Sequence, residues 1–354
     1  MNRTEQQSEI YRYLAGRRVL VTGGTGSVGT ALVRQLLQQR VAEIKILSRN
    51  TDNHDKLRAL YADEAERLVF VQGSVESEET VNTAMQGVDI VYHVAAMKHI
   101  PGCENDPIKA TMINVLGSNN IFMAACASET VKKVVAVSTD KAISPDSVMG
   151  ASKIIMERTA LKYARELREA GKAPAICIVR PGNVMASQGS VLPFFLRQIK
   201  AGGPVTVTHD EMTRFVMTIP ETANLLIKAA ADAQGGEIYI KQMGSLRIYD
   251  LARVMVSEIA PLVGHDPAAM KIKIVGPRPG ETFHEELVTD SEHPRTVTYA
   301  DMYKIYPQYH VPDDAVIVDK ALLATKTAPA MTDNEIIDLL RRLNYLDVTT
   351  LREN

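Results

Sequence analysis

Residues 17–39 read RRVLVTGGTGSVGTALVRQLLQQ, and the fold turns on them. Arg17 to Thr22 reads as a strand, and Thr30 to Gln39 places Leu32, Val33, Leu36 and Leu37 at helical spacing. Gly23, Gly26 and Gly29 lie between them. In such a turn Gly23 supplies a positive φ, Gly26 lets a pyrophosphate reach the backbone, and Gly29 lets helix and sheet pack closely. The helix amino terminus then faces the anion. Thr25, Ser27 and Val28 complete the cradle, and the expected ligand is a dinucleotide.

Moving outward, the second strand, Glu43 to Leu47, ends in Ser48-Arg49-Asn50. An acidic residue at this place holds the ribose 2′-OH of NAD, whereas an arginine accommodates a 2′-phosphate, so NADP is expected rather than NAD. A third strand, Leu68 to Val71, closes in Gln72-Gly73-Ser74-Val75. A fourth, Val88 to Val94, leads into Ala95-Ala96, whose small side chains let backbone approach a flat ring or ribose, and then into Lys98. A helix from about Pro107 to Ser128 carries Asn114, an amide able to tie neighbouring backbone groups. Strands alternating with helices predict an α/β fold with a doubly wound parallel sheet of the Rossmann type.

The next strand, Val131 to Val137, delivers STDKAISPDSVMGASK, residues 138–153, to its carboxy-terminal edge, where open α/β sheets bind ligands. Taken alone, Ser138 reads as a strand-end residue, Asp140 as a loop cap and Lys153 as a solvated helix lysine. In this context, adjacent Asp140 and Lys141 bring an acid and a base near two neighbouring substrate atoms, with Lys153 one turn beyond Met149.

Past a strand at Ala175 to Arg180 the chain changes character. Asn183, the segment 189–195 with Val191, and Thr213-Arg214-Phe215 mix aromatic and polar groups as a smaller substrate lobe would. Pro277 to Glu281 is a rigid turn in which Arg278 suits a diphosphate and Glu281 a ribose diol. The expected division is a helical extension at 1–16 and a dinucleotide domain at 17–182 completed by parts of 215–245. Residues 183–214 and 246–354 form mainly the substrate lobe and tail, with a helix at Thr332 to Leu343. A net charge of −2 over 354 residues excludes bulk attraction to nucleic acid or an anionic membrane. Three cysteines without a CxxC pair indicate neither a disulfide framework nor a metal site, and no apolar run reaches membrane-spanning length. A cytoplasmic protein with no membrane segment is expected.

With TGGTGSVG at 22–29, SRN at 48–50, HVAAMKHIP at 93–101, STDKA at 138–142, RPGNVMASQGSVLPFF at 180–195, MTRFVMT at 212–218 and RPGE at 278–281 in one order, the chain resembles the extended short-chain dehydrogenase/reductase superfamily. Within it the chain is similar to the UDP-N-acetylglucosamine 4,6-dehydratases over about residues 17–300. The resemblance implies a Rossmann domain with a smaller carboxy-terminal lobe holding the nucleotide sugar, a homo-oligomer, and a role in bacterial polysaccharide biosynthesis. It also implies an NADP-dependent internal redox dehydration. Lys141 would be the C5 base, Asp140 the acid for the departing C6 hydroxyl, Thr139 the hydrogen-bond partner of the C4 oxygen, and Lys153 the holder of the nicotinamide ribose. Lys98, Asn183, Val191, Arg214, Arg278 and Glu281 would face the substrate. The chain departs from its relatives at Met149, where most have the tyrosine of a YxxxK pair, at Ser74, where an aspartate is usual, and at Pro181 and Ala186. A nucleotide-sugar 4-epimerase or reductase, or a catalytically silent NADP-binding regulator, remains as an alternative.

Overall fold

The computed structural model describes residue 10 and residues 12–187, 189–277, 280–308 and 311–347. Residues 10 and 12–14 are helical, which is the described part of the expected amino-terminal helix. The strands in chain order are β1 (Arg18–Thr22), β2 (Glu43–Ser48), β3 (Leu68–Gln72), β4 (Ile90–His93), β5 (Lys133–Val137), β6 (Ala175–Val179), β7 (Asn183–Met185), β8 (Val205–Val207), β9 (Thr213–Thr218), β10 (Ile238–Lys241), β11 (Ser245–Arg247), β12 (Ile272–Ile274), β13 (Thr296–Tyr299) and β14 (Met302–Ile305).

The chain divides into two units. The first comprises Met1–Pro181, Ile219–Lys241 and Thr289–Val318. Its sheet has nine strands in the order β13-β14-β10-β6-β5-β4-β1-β2-β3, of which the seven from β10 to β3 run parallel. Val19, Leu20 and Val21 of β1 have no exposed surface, as suits a strand covered on both faces. Helix α1 (Ser27–Gln38) buries Leu32, Val33, Leu36 and Leu37, the positions its spacing predicts. Helices α2 (Gly117–Ala127) and α3 (Val148–Glu169) also belong to this unit.

Two features depart from the sequence reading. Residues 289–318, assigned to the lobe, instead complete the large sheet. Strand β14 pairs antiparallel with β10, placing Lys304 opposite Tyr239, and β13 pairs in turn with β14. An edge strand with unpaired N–H and C=O groups accepts such an addition from anywhere in the chain. The single helix expected over 107–128 is also interrupted. Pro107–Thr111 is α-helical, Met112–Leu116 forms a wide π turn, and α2 resumes at Gly117. A π turn accommodates an extra residue and re-aims its side chains, here including Asn114.

The second unit comprises Gly182–Thr218, Gln242–Val288 and Asp319–Asn354. It contains the sheet β11-β9-β7 and the parallel pair β12-β8. Leu192 and Phe195 from the Val191–Lys200 helix, Leu251 and Met255 from Ile248–Ile259, and Ile336 and Leu340 from Asp333–Arg342 share one buried core. Thr332 and Glu335 close a reciprocal capping box at the start of the last helix.

Candidate active site

The glycine turn is shaped by contact with the end of β4. Gly23 sits at φ 67°, and a Cβ there would lie 2.9 Å from the backbone N and Cα of Ala95. A Cβ on Gly29 would lie 2.3 Å from the Gly23 carbonyl oxygen, so α1 can start only against glycine. Above Gly26 the space is open: its Cβ would touch only the Gly23 oxygen at 3.4 Å, and no side chain caps the helix. Uncapped N–H groups beside open space fit a pyrophosphate. At the end of β2, Ser48 bonds His54 at 2.6 Å and Asn50 caps the Thr51–Leu60 helix, while Arg49 is exposed with Glu76 as a facing charge. Ser74 donates to Glu76 at 2.7 Å, and Glu76 also pairs with Lys109 at 2.9 Å. The hydrogen bond from Ser74, then that from Lys109, holds the Glu76 carboxyl below its usual range. Next to them, a Cβ on Gly117 would meet Val75 at 2.6 Å, so Val75 packs directly on the start of α2.

Behind the cradle runs a buried polar chain whose hydrogen positions follow from its partners. The Ser118 hydroxyl donates to the Asn114 carbonyl at 2.7 Å, so it accepts from His93 Nε2 at 2.8 Å. The other ring nitrogen, Nδ1, therefore accepts from the Thr22 hydroxyl at 2.8 Å, and Thr22 in turn accepts from the Ala95 N–H at 3.2 Å. Burial, followed by the charge of Lys153, lowers the His93 pKa to about 3, which keeps the ring neutral in this tautomer. The Asn114 side chain accepts from the Met97 N–H at 2.7 Å and donates to the Met97 carbonyl and to Ser152, each at 2.9 Å. The segment containing Ala95 and Ala96 is thus pinned at both ends, and Lys98 just beyond it is exposed.

At the end of β5, Asp140 is the hub. Its Oδ1 accepts from the Thr139 hydroxyl at 2.9 Å and from Lys141 Nζ at 3.1 Å, and its side chain is fully buried while that of Lys141 is 26% exposed. The start of α3 presses on this turn. A Cβ on Gly150 would lie 2.3 Å from the Lys141 carbonyl oxygen. One turn on, Lys153 is buried and donates to the Val137 carbonyl at 2.8 Å. Burial lowers its ammonium to about 8, with Glu157 opposing the fall. Met149 packs with Cys103 and Ala110 in a small apolar cluster. Thr139, Asp140 and Lys141 are therefore brought together, Lys153 reaches the strand end just before them through the Val137 carbonyl, and Met149 lies in the apolar cluster on the first turn of the same helix.

The sequence reading leaves Ser138 as a strand-end residue without a role and does not single out Gly150. The Ser138 hydroxyl is buried and has no hydrogen-bond partner among the described residues, at the strand end where a ligand atom would bond it. Its place next to Thr139 was the available signal. Gly150 gave no signal, because close approach of another element's backbone leaves no local pattern.

In the second unit, Asn183 and Arg214 converge on one buried carboxylate, Glu285. Asn183 donates to it at 2.6 Å, Arg214 Nε lies 3.4 Å away, and the Phe215 N–H donates at 3.3 Å. Arg214 also donates to the Thr213 and Thr282 carbonyls, each at 2.8 Å, which pins the segment after Glu281. Glu281 is half-buried, and Arg278 lies outside the described residues. Val191 opens a helix that Ser190 leaves uncapped, and the buried Ser190 hydroxyl has no partner among the described residues. No group of His, Cys, Asp and Glu among the described residues is arranged to hold a metal ion.

The model of a family described as "Polysaccharide biosynthesis protein" matches residues 19–307. An uncharacterized membrane protein of Methanocaldococcus jannaschii is 39% identical over 96% of this chain and 99% of its own. A UDP-glucose 4-epimerase of Rickettsia canadensis is 34% identical over 93% of this chain and 97% of its own. The capsular polysaccharide biosynthesis protein CapD of Staphylococcus aureus is 37% identical over 89% of this chain, which spans 52% of that protein. Among solved structures, Pen from Bacillus thuringiensis superposes with a TM-score of 0.85 at 33% identity, covering 93% of this chain and 98% of that one. With its Rossmann sheet, glycine cradle and β5-edge constellation, the chain belongs to this polysaccharide biosynthesis family of extended short-chain dehydrogenases/reductases, enzymes that modify nucleotide sugars.

Proposed function

We propose that the protein catalyses the NADP-dependent 4,6-dehydration of UDP-N-acetylglucosamine to a UDP-2-acetamido-2,6-dideoxy-4-keto-hexose. The observation that carries this reading is the Lys141–Asp140 pair at the carboxy-terminal edge of β5, a base and an acid 3.1 Å apart. Simple oxidation and reduction at C4 needs neither a C5 base nor an acid at C6. Elimination of water needs both.

The cofactor, when bound, supplies a reversible hydride acceptor that takes hydride from C4 and returns it to C6. Gly23, Thr25, Gly26, Ser27, Val28 and Gly29 are assigned to its pyrophosphate, Ser48, Arg49 and Asn50 to the 2′-phosphate, Ser74 and Val75 to the adenine, and Ala95, Ala96, Lys98, Asn114 and Lys153 to the remainder. Asp140 takes the C4 hydroxyl proton, while Thr139, with the buried Ser138 hydroxyl beside it, bonds the C4 oxygen. The ketone then acidifies C5, and neutral Lys141 removes that proton. Asp140 passes its own proton to the C6 oxygen, which leaves as water, and the Lys141 ammonium reprotonates C5. Each group ends as it began. Met149 fills the place of a tyrosine with a thioether that transfers no proton, so the burden falls on Asp140. On the substrate side, Arg278 and the uncapped helix start at Val191 are assigned to the diphosphate and Glu281 to the ribose. Lys98, Asn183 and Arg214 are assigned to the sugar, the last two also through the segments they pin.

A second reading, a 4-epimerase, is favoured by the relatives that carry that name. Incubation with UDP-N-acetylglucosamine and NADP⁺ distinguishes the two by mass. Dehydration lowers the sugar nucleotide by 18 mass units, whereas epimerisation leaves its mass unchanged, and an unchanged mass would overturn the dehydratase reading.

A further inference from the structure

Arg180 takes no part in the proton transfers of the proposed function, yet it has no exposed surface. Its guanidinium makes two paired bonds with Glu157 of α3, at 2.8 and 2.7 Å, and two with Glu292, both at 2.8 Å, and both carboxylates are buried. Arg295 stands 4.0 Å from Glu292, so two guanidiniums face two carboxylates and the charge is balanced. Apolar residues of similar volume often serve stability as well as a buried ion pair does, whereas a forked pair fixes direction.

The direction it fixes is that of the strand end beside Asp140. Arg180 directly follows β6, and its N–H donates to the Tyr239 carbonyl at 2.9 Å. The φ of the next residue, Pro181, is set by its ring, and its carbonyl accepts from the Asp140 N–H at 3.2 Å. The Asp140-Lys141 turn thus has a support on each side. One is the Pro181 carbonyl at the end of β6, and the other is Gly150 of α3, where a Cβ would lie 2.3 Å from the Lys141 carbonyl oxygen. Glu157 lies about two turns beyond Gly150 on the same helix, so its fork with Arg180 joins the two supports. We propose that Arg180 and Glu157 are positioning residues that hold Asp140 and Lys141 in place by tying the end of β6 to α3. Glu292 grips the same guanidinium from the 289–318 segment, outside both supports. The inference rests on the proposed function for the chemistry given to Asp140 and Lys141, not for the geometry of their turn.

The test compares Glu157→Gln with Glu292→Gln in the full-length protein, since each disturbs one side of the same guanidinium and only the first cuts the tie to α3. Hydrogen–deuterium exchange, read by mass spectrometry on peptides covering the Asp140 amide, needs no substrate. In Glu157→Gln these peptides are expected to exchange about tenfold faster, because the turn opens more readily, and in Glu292→Gln to stay near wild type. With UDP-N-acetylglucosamine, kcat in Glu157→Gln should fall about 10- to 100-fold while KM and NADP affinity hold, the pattern of misplaced reacting groups. Unchanged exchange in Glu157→Gln, an equal rise in both variants, or a wild-type kcat alongside raised exchange would overturn the proposal. A rise confined to Glu157→Gln supports the tie even where the wild type leaves UDP-N-acetylglucosamine at its original mass, a result that counts against the proposed function alone. Should either glutamine variant not fold, Glu157→Asp and Glu292→Asp, which keep both charges and shorten each reach by one methylene, are read by the same outcomes.

Discussion

Lys141 and Arg49 carry the reading at the level of single residues. Lys141→Ala is expected to retain binding of NADP and UDP-N-acetylglucosamine and to lose dehydration by roughly 10²–10⁴-fold, the scale of a general base. Oxidation at C4 does not use this lysine, so a single turnover should accumulate NADPH absorbance. Deuterium entering C5 at the wild-type rate in this variant would move the role to another group. Arg49 is exposed while its two neighbours are committed to local bonds. Arg49→Ala should weaken NADP by about 1–3 kcal/mol, as for a charge-assisted hydrogen bond, and leave NAD nearly untouched. Calorimetric titration with both cofactors checks this, and equal losses would remove the arginine from the 2′-phosphate.

Among the elements, α3 governs the site. Its first turn is braced by Ser147, which accepts from the Gly150 N–H at 3.2 Å, and by Glu104, which accepts from the Val148 N–H at 2.8 Å. Gly150 then faces the Lys141 carbonyl at a distance no Cβ tolerates. Because the opposing atom is backbone, it cannot swing aside. Gly150→Ala should cost about 1–3 kcal/mol, as other overpacked sites do, and push Lys141 out of line. Thermal unfolding should show the loss of stability, and steady-state kinetics should show kcat falling more than KM for NADP. An alanine variant with wild-type stability and rate would show that α3 adjusts freely.

For the whole molecule, the buried Arg180 joins a helix, a strand end and the 289–318 segment through Glu157 and Glu292. Burial raises the Glu292 carboxyl, but the hydrogen bonds and charge of Arg180 outweigh this and bring it from 4.5 down to about 2. A folded-state pKa below the unfolded value contributes stability that is present above about pH 4.5 and lost as pH falls toward 2, on the order of 3 kcal/mol. Wild type should therefore lose stability steeply in that window, and Glu292→Gln, less stable at pH 7, should show a flatter profile. Parallel profiles would place the acid sensitivity elsewhere. A second large-scale feature is an apolar stripe of Ile108, Met112, Leu116 and Met123, with Ile155 on the neighbouring helix, each 39–73% exposed. Such a stripe suits burial against a second copy of the chain. Sedimentation should give a homo-oligomer for the wild type and a smaller species for Leu116→Asp.

The strand, glycine turn and helix at 18–38 were legible in the sequence because each part is set locally: a buried strand by its apolar run, the turn by residues free of Cβ, the helix by its period. The ends of β2, β4 and β5 were legible for the same reason, since a short parallel strand brings the residues that follow it to one edge. What the tertiary structure decided has in common that its partners lie on different elements. β14 pairs with β10 at separations of 61 to 67 positions, from Lys241 with Met302 (302 − 241) to Ile238 with Ile305 (305 − 238). Asn183 and Arg214 turn inward to Glu285, Gly150 meets Lys141, and Arg180 draws together Glu157 and Glu292. Spacing encodes contacts within one element, whereas charge pairs and backbone approaches between elements exist only once the core has closed around them.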